Sequence, residues 1–193
     1  MDTDSCWLTV HAALLRTGSP HDLARHLKGE YRVDERELYS GYGLSPIDGK
    51  GRVAIPTDLR ATIEANSDGR TLFLAQHDSD ACLIGYDDGW RRLLNEEIKR
   101  DEEIERTAGR GFDRNNSRRR AFSLAERVPF DASGRFVLNG YLREESGLTD
   151  FAFFNGVGTV FEFWDPKTLL DAPNVDDRLK RACRWHMQQR GIT

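Results

Sequence analysis

The sequence lacks the long apolar run that a membrane span requires. None of its stretches reaches the roughly 18 consecutive apolar residues of a membrane helix. The longest stretch near the start, from Trp7 to Leu15, is interrupted by Thr9 and His11, and Asp2 and Asp4 precede it in place of the Lys or Arg of a secretory signal. We therefore predict a cytoplasmic protein with no membrane partner.

Cysteine is scarce as well. The chain has three cysteines, Cys6, Cys82 and Cys183, which are odd in number and far apart. A Cys-x-x-Cys pair and a matching pair of histidines are both missing, so the sequence indicates neither a disulfide framework nor a zinc site. We predict reduced thiols, no bound metal and no cofactor.

A surplus of positive charge is also missing. The formal net charge is −4, which by itself does not indicate a nucleic-acid binder. The placement of the charges is more informative, because six arginines lie at residues 106–120 against one acid, Asp113, directly after an acidic cluster. Two interpretations stay open: a solvated face on which Arg pairs with Glu, or a surface that contacts phosphates, with Arg118, Arg119 and Arg120 as candidates.

What the chain does contain is an internal repeat. The segment SPIDGKGRVAIPTDLR, residues 45–60, recurs in outline as RVPFDASGRFVLNGYLR, residues 127–143. Spacing this regular indicates a duplicated structural unit. The informative positions match without a gap and lie 83 residues apart: Asp48 and Asp131, Gly51 and Gly134, Arg52 and Arg135, Ile55 and Leu138, Leu59 and Leu142, Arg60 and Arg143.

Both copies predict the same order of elements. A short strand follows the Gly-Arg pair, a helix follows the strand, a hairpin of two strands comes next, and an aspartate then caps a further helix. Each half has only about 45 residues, too few to bury a comfortable core alone, so we predict that the halves share one core. The hairpin strands are expected at residues 71–76, 81–86, 150–155 and 159–164.

The Asp-x-x-Gly-Arg stretch of each copy is the candidate functional loop. As a tight turn it uses the aspartate to accept backbone N–H groups two or three residues on, and the glycine to adopt a positive φ. A turn alone does not explain the arginine after each glycine. Held by the carboxylate, its planar fork suits a phosphate or the O6 and N7 edge of guanine. We predict loop-orienting roles for Asp48, Gly51, Asp131 and Gly134, and DNA contacts by Lys50, Arg52, Ser133 and Arg135.

These segments resemble the MraZ family of transcriptional regulators. The resemblance rests on GLSPIDGKGRVAIPTDLR, CLIGYDDGW, RRRAFSLAERVPFDASGRFVLNGYLREESGL and FEFWD, in that order between about Tyr39 and Leu170. It implies an α+β fold of two tandem swapped-hairpin AbrB-like units that share one pseudo-twofold core, with short helices. It also implies a ring-shaped homo-oligomer that binds repeats of double-stranded DNA in the promoter of its own division and cell-wall operon, on the nucleoid. The family's Asp-x-x-x-Arg signature falls on Asp48 with Arg52 and on Asp131 with Arg135.

The repeat and the resemblance together divide the chain into five parts. The N-terminal extension and the polar insert at Gly109 to Asn116 depart from the family pattern. We expect the extension to be disordered, or to precede a later true start such as Val33. The parts are residues 1–37 as the extension, 38–90 as the first AbrB-like unit, 91–124 as a helical, Arg-rich connector, 125–171 as the second unit and 172–193 as a C-terminal helical tail that packs on the body or on a neighbouring subunit.

Two other functions stay open at this point. An AbrB-like antitoxin or adaptor would bind a partner protein through an extra tail, and the C-terminal helix is a candidate for one. An enzyme would need a catalytic constellation. The residues His77-Asp78-Ser79-Asp80 are of suitable types, but a hairpin turn is needed there, and catalytic groups assemble in space rather than in a row. We predict no catalytic residue and no small-molecule substrate.

Overall fold

The computed structural model describes residues 36–67 and 69–192, so all but the last two residues of the predicted N-terminal extension lie outside it. The described chain is an α+β fold. Its elements are, in chain order, β1 (Tyr42–Pro46), β2 (Arg52–Ala54), α1 (Thr57–Asn66), β3 (Thr71–Gln76), β4 (Leu83–Tyr86), α2 (Asp88–Thr107), α3 (Arg114–Arg118), a π-helical turn (Arg119–Ser123), β5 (Glu126–Pro129), β6 (Arg135–Val137), α4 (Gly140–Glu145), β7 (Phe151–Gly156), β8 (Phe161–Trp164), α5 (Pro166–Asp171) and α6 (Asp177–Gln189).

The strands are exchanged between the two halves. Six of them form one sheet in the order β1-β7-β8-β4-β3-β5, in which every neighbouring pair is antiparallel. The first strand of each half therefore pairs with the hairpin of the other half, β1 with β7 and β5 with β3. The remaining strands, β2 and β6, pair with each other as a separate two-stranded ribbon. This confirms the predicted fold of two swapped-hairpin units.

A pseudo-twofold axis relates the strand pairing of one half to that of the other. On the ribbon Val53 pairs with Phe136, its counterpart in the repeat, so the axis passes between these two residues. The swapped strands agree with this axis, because Pro46 pairs with Phe151 in the same way as Pro129 pairs with Thr71. The duplication read from the sequence is thus a duplication in space.

The core lies between the inner face of the six-stranded sheet and the ribbon, and both halves contribute to it. Phe163 of β8 is fully buried there. Its ring stacks on Phe154 of β7 at a centroid distance of 5.1 Å and meets Phe136 of the ribbon edge to face at 6.3 Å. The halves share one core, as predicted.

Helices cover the outer face of the sheet. Cys183 and Met187 of α6 are buried against Phe153 and Trp164. On the other half, Trp90 of α2 packs near Phe73 and Tyr86. In the described part of the chain, no helix is both long and apolar enough to cross a membrane.

The residue patterns missed the first strand of each half and overextended parts of the hairpins. β1 and β5 each bury a single residue, Leu44 and Val128, and pair with segments more than 50 residues away, so no local alternation marks them. β4 begins at Leu83 and β8 at Phe161, two residues later than predicted. The turns before these strands are therefore larger than predicted. The turn before β4 is closed by a hydrogen bond from the N–H of His77 to the Cys82 carbonyl.

We expect Phe163→Ala to lower the free energy of unfolding by roughly 3–5 kcal/mol, because it removes a buried ring that joins β8, β7 and the ribbon. Urea unfolding followed by circular dichroism measures this change. Val157→Ala, at a side chain that is 46% exposed, is the control and should stay within about 0.5 kcal/mol of the wild type. A loss below about 1 kcal/mol for Phe163→Ala would contradict this description of the core.

Candidate functional site

The first candidate loop is a tight turn organised by Asp48. The Oδ1 atom of Asp48 accepts the backbone N–H groups of Lys50 and Arg52, each at 2.9 Å. The N–H of Gly51, between them, donates to the Asp48 carbonyl at 2.9 Å. The carboxylate thus accepts the N–H groups of the second and fourth residues after Asp48, and not of the second and third as predicted. The N–H of the third residue bonds to the backbone carbonyl of Asp48 instead.

The second loop repeats this geometry. Asp131 Oδ1 accepts the N–H of Ser133 at 2.8 Å and that of Arg135 at 2.9 Å. The N–H of Gly134 donates to the Asp131 carbonyl at 2.9 Å. The four residues expected to shape the loops therefore occupy equivalent places in two equivalent turns.

Each loop glycine is also bound to the opposite half. The carbonyl of Gly51 accepts the N–H of Leu138, and the carbonyl of Gly134 accepts the N–H of Ile55, both at 2.9 Å. The φ angles of these glycines are 76° and 77°. A Cβ atom on Gly51 would lie 2.8 Å from the Leu138 carbonyl oxygen. Positive φ and close approach both explain glycine at this position.

The arginines after the glycines are held by their loop aspartates to different degrees. Arg52 Nε donates to Asp48 Oδ2 at 2.6 Å. The matching distance from Arg135 Nε to Asp131 Oδ2 is 3.6 Å, an ion pair that is too long for a hydrogen bond. The carboxylate therefore holds the guanidinium through a hydrogen bond in the first loop and only through a longer ion pair in the second.

A further arginine braces the second loop. Arg60 of α1 donates from Nη1 to the Ala132 carbonyl at 3.1 Å. Its counterpart in the repeat, Arg143, instead donates from Nε to the carbonyl of Leu148, three residues after the end of its own helix. Sequence reasoning found Arg60 as a repeated position but assigned it no role, because only the folded chain shows which carbonyl it reaches.

Both loop arginines lie on one face of the ribbon. Val53 and Phe136 point into the core, so the residues on either side of them, at alternating positions, point to solvent. The side chains of Arg52 and Arg135 are 55% and 61% exposed. Their Cα atoms lie about 8 Å apart, given strands about 5 Å apart and a rise of roughly 3.4 Å per residue. Lys50 and Ser133 are exposed at the adjoining turns.

Hydrogen bonds stabilise the ionised form of both loop carboxylates. The backbone N–H of Arg52, followed by its side chain, lowers the pKa of Asp48 from 3.8 to about 2. The backbone N–H of Arg135 is the largest cause of the lowered pKa of Asp131. Each loop therefore presents a carboxylate that stays ionised beside its arginine.

Three of the six arginines in the arginine-rich segment form ion pairs with the acidic end of α2. Arg106 pairs with Glu103, Arg110 with Glu105, and Arg114 with Glu102. For these three arginines the interpretation as a solvated, ion-paired face is the correct one. Arg118, Arg119 and Arg120 are exposed, and Arg118 donates to the side-chain carbonyl oxygen of Asn95.

The His77-Asp78-Ser79-Asp80 segment is a structural turn. Nδ1 of His77 accepts the backbone N–H groups of Ser79 and Asp80, at 3.2 and 3.0 Å, which orients the imidazole towards the turn backbone. Across residues 36–67 and 69–192, no group of three or more His, Cys, Asp or Glu side chains is placed to hold a metal ion.

Several known proteins that resemble the chain carry the same name. No protein-family model matches it. Proteins named Transcriptional regulator MraZ do: the one from Rhodospirillum rubrum is 32% identical over 124 residues, 64% of this chain and 76% of its own length. The one from Bordetella pertussis is 30% identical over 133 residues, covering 68% and 85%. The one from Syntrophobacter fumaroxidans is 29% identical over 139 residues, covering 69% and 83%.

Gly51→Ala should destabilise the protein by at least about 1–2 kcal/mol, the cost of a left-handed conformation for a residue with a Cβ, with the contact to the Leu138 carbonyl added. Gly49→Ala is the matched control, because a Cβ there meets nothing within 4 Å. Its unfolding free energy should stay within about 0.5 kcal/mol of the wild type. Equal stabilities of the two variants in urea unfolding would show that the loop is not tied to the second half.

The carboxyl group of Asp48 should still be ionised at pH 3. Its lowered pKa means that the loop hydrogen bonds are fully present above the ordinary pKa of 3.8 and are lost only as the pH falls through about 2. The carboxyl carbon chemical shift in an NMR titration measures this. In Arg52→Ala the midpoint should rise but stay below 3.8, since the backbone N–H groups remain. A wild-type midpoint at or above 3.8 would rule out the described turn.

Proposed function

The chain belongs to the MraZ family of transcriptional regulators, and we propose that it acts by binding double-stranded DNA through both loops. One observation carries this proposal: Arg52 and Arg135 are exposed on the same face of a two-stranded ribbon. Interior arginines, or arginines on opposite sides, would not have supported it.

The dimensions of the ribbon suit the major groove. A groove about 12 Å wide admits a two-stranded β-ribbon. On this face Arg52 and Arg135 reach base edges or phosphates with their planar forks. Lys50 adds a flexible cation for the phosphate backbone, whereas Ser133 offers a hydroxyl at the same place in the second loop. The ribbon combines base contacts with the phosphate contacts that fix its register.

Several copies of this site would compensate for the net charge of −4. We propose a ring-shaped homo-oligomer that binds repeated sequences in the promoter of its own division and cell-wall operon, on the nucleoid. Linked sites gain affinity through effective concentration even where each is weak. Exposed Tyr42 and Trp185 support self-association, because both pack on His186 and so form one apolar patch at the surface.

Arg118, Arg119 and Arg120 are proposed as secondary phosphate contacts. They are exposed and follow the arginines that Glu102, Glu103 and Glu105 neutralise. Among the described residues no carboxylate forms an ion pair with any of the three. Their charge therefore remains available to a polyanion.

The role of an antitoxin or adaptor has less support. Such a protein needs a tail that is free to bind a partner, but α6 buries Cys183 and Met187 against its own sheet. The side of this helix that carries Cys183 and Met187 is already occupied by the chain itself. These contacts support a C-terminal helix that packs on its own body and not one that binds a partner protein.

We expect Arg52→Ala/Arg135→Ala to lose affinity for the DNA immediately upstream of its own gene. Each arginine contact is worth about 1–3 kcal/mol, so the double variant should bind at least tenfold more weakly, with a flatter salt dependence. Gel shifts at several salt concentrations measure this, and circular dichroism should be unchanged because both side chains are exposed.

Arg92→Ala/Arg178→Ala is the matched control for this experiment. These arginines are also exposed and also paired with an aspartate, Asp88 and Asp176, but they lie on α2 and α6. The control removes the same charge and should bind like the wild type. Equal weakening of both double variants would reduce the effect to net charge, and equal binding by the wild type and the loop variant would refute the assignment.

A further inference from the structure

Val137 is an apolar side chain on the face of the ribbon that carries Arg52 and Arg135. It follows Arg135 by two residues on β6, lies directly across from Arg52 on β2, and is 56% exposed. Its counterpart in the repeat is Ala54, which pairs with Arg135. Only the second half therefore presents a branched apolar side chain at this place. The packing of the core does not explain it, because Val137 points to solvent.

The neighbours of Val137 on the ribbon set what it can reach. Residues directly opposite in an antiparallel pair have Cβ atoms about 4.5–5.5 Å apart, so the valine methyl groups lie beside the aliphatic stem of Arg52. Successive bases along a DNA strand are about 3.4 Å apart. A base contacted by the Arg52 guanidinium thus has a neighbour within reach of Val137.

Building on the function proposed above, we propose that Val137 contacts the 5-methyl group of a thymine in the major groove, at a base pair adjoining the one that Arg52 contacts. Thymine is the base that presents a methyl group in this groove, and apolar side chains recognise it. Cytosine presents an amino donor at the corresponding edge, which a valine leaves without an acceptor. Val137 thereby adds selection for thymine to the selection for guanine that the arginines provide.

The charge around Val137 favours DNA over a second copy of the chain as its partner. A symmetric contact between two such faces would bring together two surfaces of the same sign, because Lys50, Arg52 and Arg135 outnumber Asp48 and Asp131 in each copy. Like charges across an interface are unfavourable. A polyanion with an apolar methyl group in its groove matches both the charges and the valine.

Replacing every thymine by uracil tests this directly, because uracil differs only in lacking the methyl group. The DNA upstream of the gene is amplified with either thymidine or deoxyuridine triphosphate, and affinities of the full-length chain are measured by gel shift. We expect the wild type to bind the thymine DNA about fourfold more tightly, the factor that corresponds to one buried methyl group. Val137→Ala should bind both DNAs equally, at the level of wild type on uracil DNA.

Val157→Ala is the control, since it shortens another exposed valine, in the turn between β7 and β8. It should keep the fourfold ratio. A ratio of one for a wild type that binds both DNAs would overturn the inference and leave the proposed function intact. A ratio that persists in Val137→Ala would overturn it too. So would a Val137→Ala variant whose subunit number changes in sedimentation while its ratio stays that of the wild type, because Val137 would then contact a second copy of the chain. Failure of the wild type to bind either DNA would count against the proposed function itself.

Discussion

Two backbone hydrogen bonds across the pseudo-twofold axis hold the candidate site together. They run from Leu138 to Gly51 and from Ile55 to Gly134, so each loop is fixed by the strand of the other half. The exchange of β1 and β5 has the same effect at the sheet, because neither half completes its sheet alone. The site is therefore a property of the joined halves. The relative placement of its two arginines follows from the register of the ribbon and not from either loop alone.

The symmetry of the backbone is not carried through to the side chains. Arg52 is bound tightly by Asp48, whereas Arg135 is held loosely and its loop is braced by Arg60 instead. The hydroxyl of Ser133 replaces the ammonium group of Lys50. Because the two copies share one ribbon, the backbone geometry that positions both loops is kept. The side chains of each loop can differ without disturbing it. For the proposed DNA-binding function, this asymmetry means that the two halves contact non-equivalent parts of the same DNA.

The sequence predicted those parts of the molecule that local chemistry determines. The loops were found because aspartate, glycine and arginine have separate reasons to stand at fixed spacing. The hairpins were found because short apolar runs, bounded by polar or glycine-rich turns, mark their strands. β1 and β5 escaped the residue patterns, since their partners lie in the other half, and only the family resemblance implied them. The brace from Arg60 and the exposure of Val137 depend on which strands meet. A pattern in one segment cannot report a contact with another.

For the proposed binding of DNA, the difference between the two ion pairs limits how each arginine can contact a base. A guanidinium has five N–H donors, one on Nε and four on the two Nη atoms. Asp48 occupies the Nε–H of Arg52, so a bidentate contact by this arginine must use Nη1 and Nη2 end-on. At 3.6 Å the Nε–H of Arg135 is not committed to Asp131, and a side-on contact through Nε and one Nη stays open to it. Because the two approaches place the guanidinium plane differently against a base edge, one backbone geometry can support two modes of guanine contact.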